Sequence, residues 1–311
     1  MIGIRSRNQG IRALILCATA AVIFITGCTG LTHPRNKNTD PVISDTDTSS
    51  EQIIKYNSPY DGGQGSAGSL CGRTIIISIF TDDAETSWNE SAEEDNEMIY
   101  DSLDNLRIST DYLTEQAARY SADAEFIWDW ELYPDLRYNA AFEESLVTEY
   151  GDMYNVQKDW VEQNIDTETL RNSYCADNVL YLFFFNTDFT NQVNPWYLGY
   201  SCSPDYYIEF CNIYVRFDDY FVTKPATYAH EMMHCFGAHD LYYANEFIPQ
   251  KYVDYLGNNY SNDIMYTVYD SKEITNEFSD LDAYYVGLID HCEEVEKWHL
   301  AKSEHLTKTD N

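Results

Sequence analysis

Short continuous apolar runs alternate with apolar residues spaced every third or fourth position, and this alternation predicts one α/β domain over about residues 72–292. Thr74–Phe80 is β-branched and apolar, which predicts a buried strand. Ile99, Leu103, Leu106, Leu113 and Ala117 recur at helical spacing and predict a long first helix. Ala124–Trp130 reads as a second strand, and Ala140–Ile165 as a second helical region with no evident role. Val179–Phe185 is apolar on both faces and should lie centrally in the sheet. Tyr207–Phe217 reads as a further strand or hairpin with mixed faces, and Leu281–Ile289 as a C-terminal helix. A chain of this length can bury a proper core.

The chemistry concentrates in residues 230–240, which read H-E-M-M-H-C-F-G-A-H-D. Residues four apart share a helix face, so His230 and His234 can aim ring nitrogens at one cation. Glu231 is close enough to hold a metal-bound water without being a ligand, the general-base role in zinc hydrolases. Pro225 suits a first helical turn, and Gly237 can take the left-handed conformation that ends a helix and turns the chain back. The competing reading is an ordinary amphipathic helix with two satisfied histidines. Around the motif Ala226, Tyr228, Ala229, Met232, Met233 and Phe236 are apolar, so these histidines are expected to be partly buried and in need of partners.

This motif, followed by Asp263-Ile264-Met265-Tyr266, resembles the metzincin zinc endopeptidases, and more narrowly the snapalysin-like members with the pattern H-E-x-x-H-x-x-G-x-x-D. The resemblance rests on roughly residues 205–290. It implies a metzincin-like catalytic domain: a mixed, mostly parallel sheet with an antiparallel edge strand, an active-site helix, a Met-turn and a C-terminal helix. It makes His230, His234 and Asp240 the ligands of one catalytic Zn²⁺, Glu231 the general base and Met265 the apolar floor. His239, one position earlier, is the alternative third ligand. Thr267 stands where some metzincins carry a tyrosine, so oxyanion support falls to Tyr266 as a candidate. An extended peptide substrate would pair with an edge strand within Ile208–Phe217. In a second hydrolase reading, thermolysin-like, Glu277 of Asn276-Glu277-Phe278-Ser279-Asp280 is the third ligand. A third reading, outside enzymes, is a lipid-anchored binding or adhesion protein with a structural zinc.

The N-terminus bears on location. Arg5, Arg7 and Arg12 precede the apolar stretch Ala13–Ile25, too short for a settled membrane span, and Ile25-Thr26-Gly27-Cys28 resembles a bacterial lipobox. This predicts a lipoprotein signal over residues 1–27 and lipid on Cys28, holding the chain at the outer face of the cell membrane. A plain signal peptide and an anchor helix are the alternatives. Residues 28–70, rich in Thr, Ser, Asp, Asn, Pro and Gly, read as a flexible tether. A propeptide with Cys71 capping the zinc is the competing reading. The expected domain is 71–292, with a polar tail over 293–311.

Composition narrows the partners. The formal net charge is −33; three arginines would leave with the leader, so 16 basic residues face 52 acidic ones, net −36. Such a charge repels nucleic acid and anionic lipid, leaving peptide or protein as the expected substrate of a monomer. Acidic loops are candidates for Ca²⁺, although no complete EF-type spacing is present. Cys71, Cys175, Cys202, Cys211, Cys235 and Cys292 are available for disulfides in an exported chain, and Cys202 with Cys211 would clip a short loop. Of the 27 tyrosines, Tyr228, Tyr242, Tyr243 and Tyr266 flank the motif and are candidates for shaping subsites, against ordinary amphipathic packing.

Overall fold

The computed structural model describes residues 65–146, 153–188, 209–217, 221–245, 247–259, 261–269 and 271–300. All of them belong to the compact unit 52–311. The leader, Cys28, the tether up to residue 64, Cys202 and the tail beyond residue 300 lie outside the described residues.

Strand β1 (Gly72–Asp82) is the spine of the sheet. The long helix α1 (Glu93–Arg119) follows, then the short strands β2 (Ala124–Ile127) and β3 (Arg137–Ala141). Both pair with one edge of β1, β2 along Gly72–Ile75 and β3 along Ser78–Asp82. Strand β4 (Asn178–Asp188) pairs with the other edge, and β5 (Phe210–Phe217) with β4; all these pairings are parallel. The order is β2-β1-β4-β5-β6, where β6 (Phe221–Val222) is a two-residue antiparallel partner of the end of β5. The molecule is therefore α/β with a mostly parallel sheet.

Alternation along the strands divides the core in two. Ile76, Phe80, Leu180, Leu182, Phe184, Cys211, Ile213 and Val215 face α1 and the motif helix α4 (Pro225–Cys235). Ile75, Ile77, Ile79, Val179, Tyr181, Phe183, Phe185, Phe210 and Tyr214 face α2 (Met153–Asn164) and α3 (Thr167–Tyr174). A parallel sheet needs cover on both faces, and each fully buried Ile or Phe contributes about 1.5–3 kcal/mol. The region without an evident role thus has one: it supplies the second cover through Met153, Val161, Ile165 and Leu170.

Three expectations change. The helical reading of Ala140–Ile165 fails at its start, because Arg137–Ala141 is strand β3, and the helix begins at Met153. Pairing with β1 overrides the local preference of Asn139-Ala140-Ala141. The strand within Ile208–Phe217 is not an antiparallel edge with mixed faces: β5 runs parallel to β4, and Phe210–Val215 are buried on both sides. The expected C-terminal helix Leu281–Ile289 is the shorter α6 (Asp280–Tyr285), followed by α7 (Glu293–Trp298). Gly287, at φ 76°, ends α6, with Leu288 N–H on Ala283 O at 2.7 Å and Gly287 N–H on Tyr284 O at 3.3 Å.

The domain also starts earlier than residue 71. Ala67, Ser69 and Leu70 are buried, and Ala67 N–H donates to the carbonyl of Cys235, the last residue of α4, at 2.9 Å. A side chain on Gly65 would collide with that same carbonyl.

Candidate metal centre

Helix α4 is buried along its whole length, with Tyr228, Ala229, Met232, Met233 and Cys235 in the core. Pro225 occupies its first turn, as expected. It ends in the same way as α6: Gly237 takes φ 107°, Ala238 N–H reaches Met233 O at 3.0 Å, and Gly237 N–H reaches His234 O at 2.8 Å. The reversal returns the chain past the helix and delivers Asp240 to the histidines.

Three atoms then converge. His230 Nε2 lies 3.2 Å from His234 Nε2, and Asp240 Oδ1 lies 3.1 Å from the first and 3.3 Å from the second. Both Nδ1 atoms face backbone carbonyls, His230 on Ile264 O and His234 on Ala238 O, each at 2.8 Å. A carbonyl can only accept, so each Nδ1 carries a proton, and in its neutral form each ring offers the Nε2 lone pair. Three buried acceptor atoms around one point call for a cation.

The Glu231 carboxylate belongs to the same cluster: one ligand atom each from His230, Glu231 and His234 lie within 4.8 Å of one another. Glu231 Oε1 stands farther off, 4.0 Å from His230 Nε2, and its Oε2 is buried with no hydrogen-bond donor among the described residues. Burial raises the Glu231 pKa to about 8, with His230 opposing and Asp240 adding to the shift. Burial lowers the pKa of both imidazoles, but the Asp240 carboxylate outweighs it and the net shift is upward. Burial likewise raises Asp240, and the two histidines overcome it, holding the carboxyl well below its usual range.

The other sequence candidates separate cleanly. His239 stacks on Phe247 at 4.3 Å and meets the edge of Tyr285 at 4.7 Å, and burial drops its pKa to about 3. It is a packed aromatic, outside the triangle. Glu277 is exposed; its backbone pairs with residues 262–264. Cys71 stands at the head of β1 with its N–H on Ser69 O. Tyr228 is fully buried with its hydroxyl at Ser102 Oγ, so it shapes no subsite.

Met265 is fully buried, and its carbonyl accepts Leu241 N–H at 2.9 Å, which ties the turn to the residue after Asp240. The Met265 N–H bonds Asp263 Oδ1 at 2.8 Å. Tyr266 does not serve the site: its hydroxyl leans on Gly257 of α5 (Gln250–Asn258), where an added Cβ would stand 2.8 Å from it. The tyrosine at the site is Tyr242. Its ring stacks on His230 at 6.4 Å, and half of it is exposed. In sequence Tyr242 was one flanking tyrosine among four; its place two residues beyond Asp240 was the available signal.

No family model matches the chain, and no curated protein matches it.

Proposed function

We propose that this protein is a zinc metalloendopeptidase of the metzincin type, with His230, His234 and Asp240 as ligands and Glu231 as general base. The observation that carries the reading is the triangle of Nε2, Nε2 and Oδ1 with sides of 3.1–3.3 Å. Tetrahedral zinc with bonds of about 2.0–2.1 Å needs ligand atoms about 3.3–3.4 Å apart. The donor set, two imidazoles and one carboxylate, suits zinc, and Glu231 stands beside it with Oε1 4.0 Å from His230 Nε2.

Zinc held there would supply Lewis acidity, bringing a water's pKa towards neutrality and polarising a peptide carbonyl. The residues do the rest. Glu231 lies beside the triangle with an uncommitted oxygen, placed to take the proton of the attacking water and return it to the leaving amine. Next to a cation, its burial-raised pKa falls back towards the range where a carboxylate both accepts and releases protons. Ile264 O and Ala238 O fix both rings in the tautomer that binds metal. Tyr242 is placed to donate to the carbonyl oxygen as charge builds on it. Lipid attachment at Cys28 and the outer face of the cell membrane remain part of the proposal, tested by mass analysis of the mature N-terminus.

Glu231→Gln is the deciding experiment. The variant keeps about one zinc per chain and loses at least about 10³-fold in peptide hydrolysis. A variant that retains both metal and full hydrolysis overturns the assignment.

A further inference from the structure

Two thiols that the metal chemistry does not use face each other behind the motif helix. Cys211 is the second residue of β5 and points to the α4 side of the sheet; Cys235 is the last residue of α4. Their Sγ atoms are 3.5 Å apart, and both residues are completely buried. Leu182 stands beside Cys211 in the sheet register, and both cysteines belong to the apolar core cluster with Ile213 and Phe236.

We infer that Cys211 and Cys235 are the site of a buried disulfide that fastens the C-terminal end of the motif helix to the sheet. The two sulfurs already touch at 3.5 Å, and a disulfide would draw them to about 2.05 Å. Bond formation balances as thiol–disulfide exchange. Each thiol gives up one proton and one electron, the two sulfurs join, and a small disulfide such as oxidised glutathione is cleaved and leaves as two thiols. Complete burial sets the order of events: the exchange occurs during folding, while the sulfurs are accessible, and the finished bond is then shielded from reductants. This pairing replaces the sequence expectation of Cys202 with Cys211. It is independent of the zinc assignment, since neither sulfur belongs to the triangle.

The test refolds the full chain in a mixture of reduced and oxidised glutathione, blocks remaining thiols with iodoacetamide under denaturing conditions, and maps the peptides by mass spectrometry. The expected result is a peptide containing Cys211 linked to one containing Cys235, with the link surviving dithiothreitol in the native protein and lost on denaturation. Alkylation of both residues, or a link from Cys211 to Cys202, overturns the inference. A second readout uses Cys235→Ala and Cys211→Ser. Each melts about 5–10 °C below the oxidised wild type, and the gap shrinks when the wild type is folded reduced. An equal gap in both redox states overturns the inference as well. Zinc content is measured alongside: a linked chain without zinc fails only the peptidase reading, and a zinc-loaded chain with free thiols fails only this one.

Discussion

His230 Nδ1 donates to the carbonyl oxygen of Ile264 at 2.8 Å, across 34 residues of sequence. The His230 ring is therefore oriented by the Met265 turn, and the turn is bonded in its own right to Leu241, beside Asp240. Metal at the triangle would join helix α4 to the turn at Asp240, two segments already linked through the Met265 turn by these hydrogen bonds.

Chelation should consequently loosen the fold as well as stop hydrolysis. A ligand at about 1,000 times its dissociation constant stabilises the folded state by about 4 kcal/mol. For a domain of this size that corresponds to a fall in Tm of about 10 °C on metal removal, restored by adding zinc. Calorimetry with and without chelator checks this, and an unchanged Tm would mean that the triangle binds no metal.

Asp240→Ala and His239→Ala should part company. The first removes one side of the triangle and is expected to lower zinc affinity at least about 100-fold. The second leaves the triangle intact but opens a gap between Phe247 and Tyr285, costing about 1–3 kcal/mol of stability. Metal analysis and thermal melts together separate the two. Zinc lost from His239→Ala and kept by Asp240→Ala would reverse the assignment.

Tyr242→Phe retains the ring on His230 and removes only the hydroxyl. A fall in kcat of about 10- to 100-fold with little change in KM is expected if the hydroxyl serves the transition state alone. Tyr266→Phe, whose hydroxyl rests on α5, should leave kcat within about twofold of the wild type.

Asp263 and Asp282 are both buried, and burial favours the protonated form of each. Burial, then the Asp263 carboxylate, push Asp282 well above its ordinary value. The unfolded chain releases the Asp282 proton near about pH 4 and the folded chain at higher pH, so the folded state binds more protons in between. Stability therefore falls as pH rises through that interval. Asp282→Asn stays neutral and should gain Tm relative to the wild type as pH rises above about 4, the range of an ordinary carboxyl. A pH-independent difference would show that Asp282 ionises freely.

The parts of this molecule that were legible in sequence are those fixed over short distances. The four-residue spacing of His230 and His234, Pro225 at the helix start and Gly237 at its end are local, and each fell where expected. Strand β3 was not legible, because Arg137–Ala141 becomes a strand only by pairing with Ser78–Asp82. Nor was the shortness of α6: the apolar pattern runs through Leu288 and Ile289, and Gly287 interrupts it. The packing of His239 was not legible either, because Phe247 and Tyr285, 8 and 46 positions away, claim its imidazole. Tyr266 was the sequence candidate for oxyanion support and Tyr242 only a flanking tyrosine, and nothing local foretold that α5 would place Gly257 against the Tyr266 hydroxyl.

The bond from Ala67 to the Cys235 carbonyl has a practical outcome for anyone trimming this chain. Processing by a protease, or a cloning boundary set at residue 71, would strip a clamp from the very turn that presents Asp240. Shortened versions should keep Gly65 onward, and truncations that stop short of it can be compared with those that cross it by their susceptibility to limited digestion.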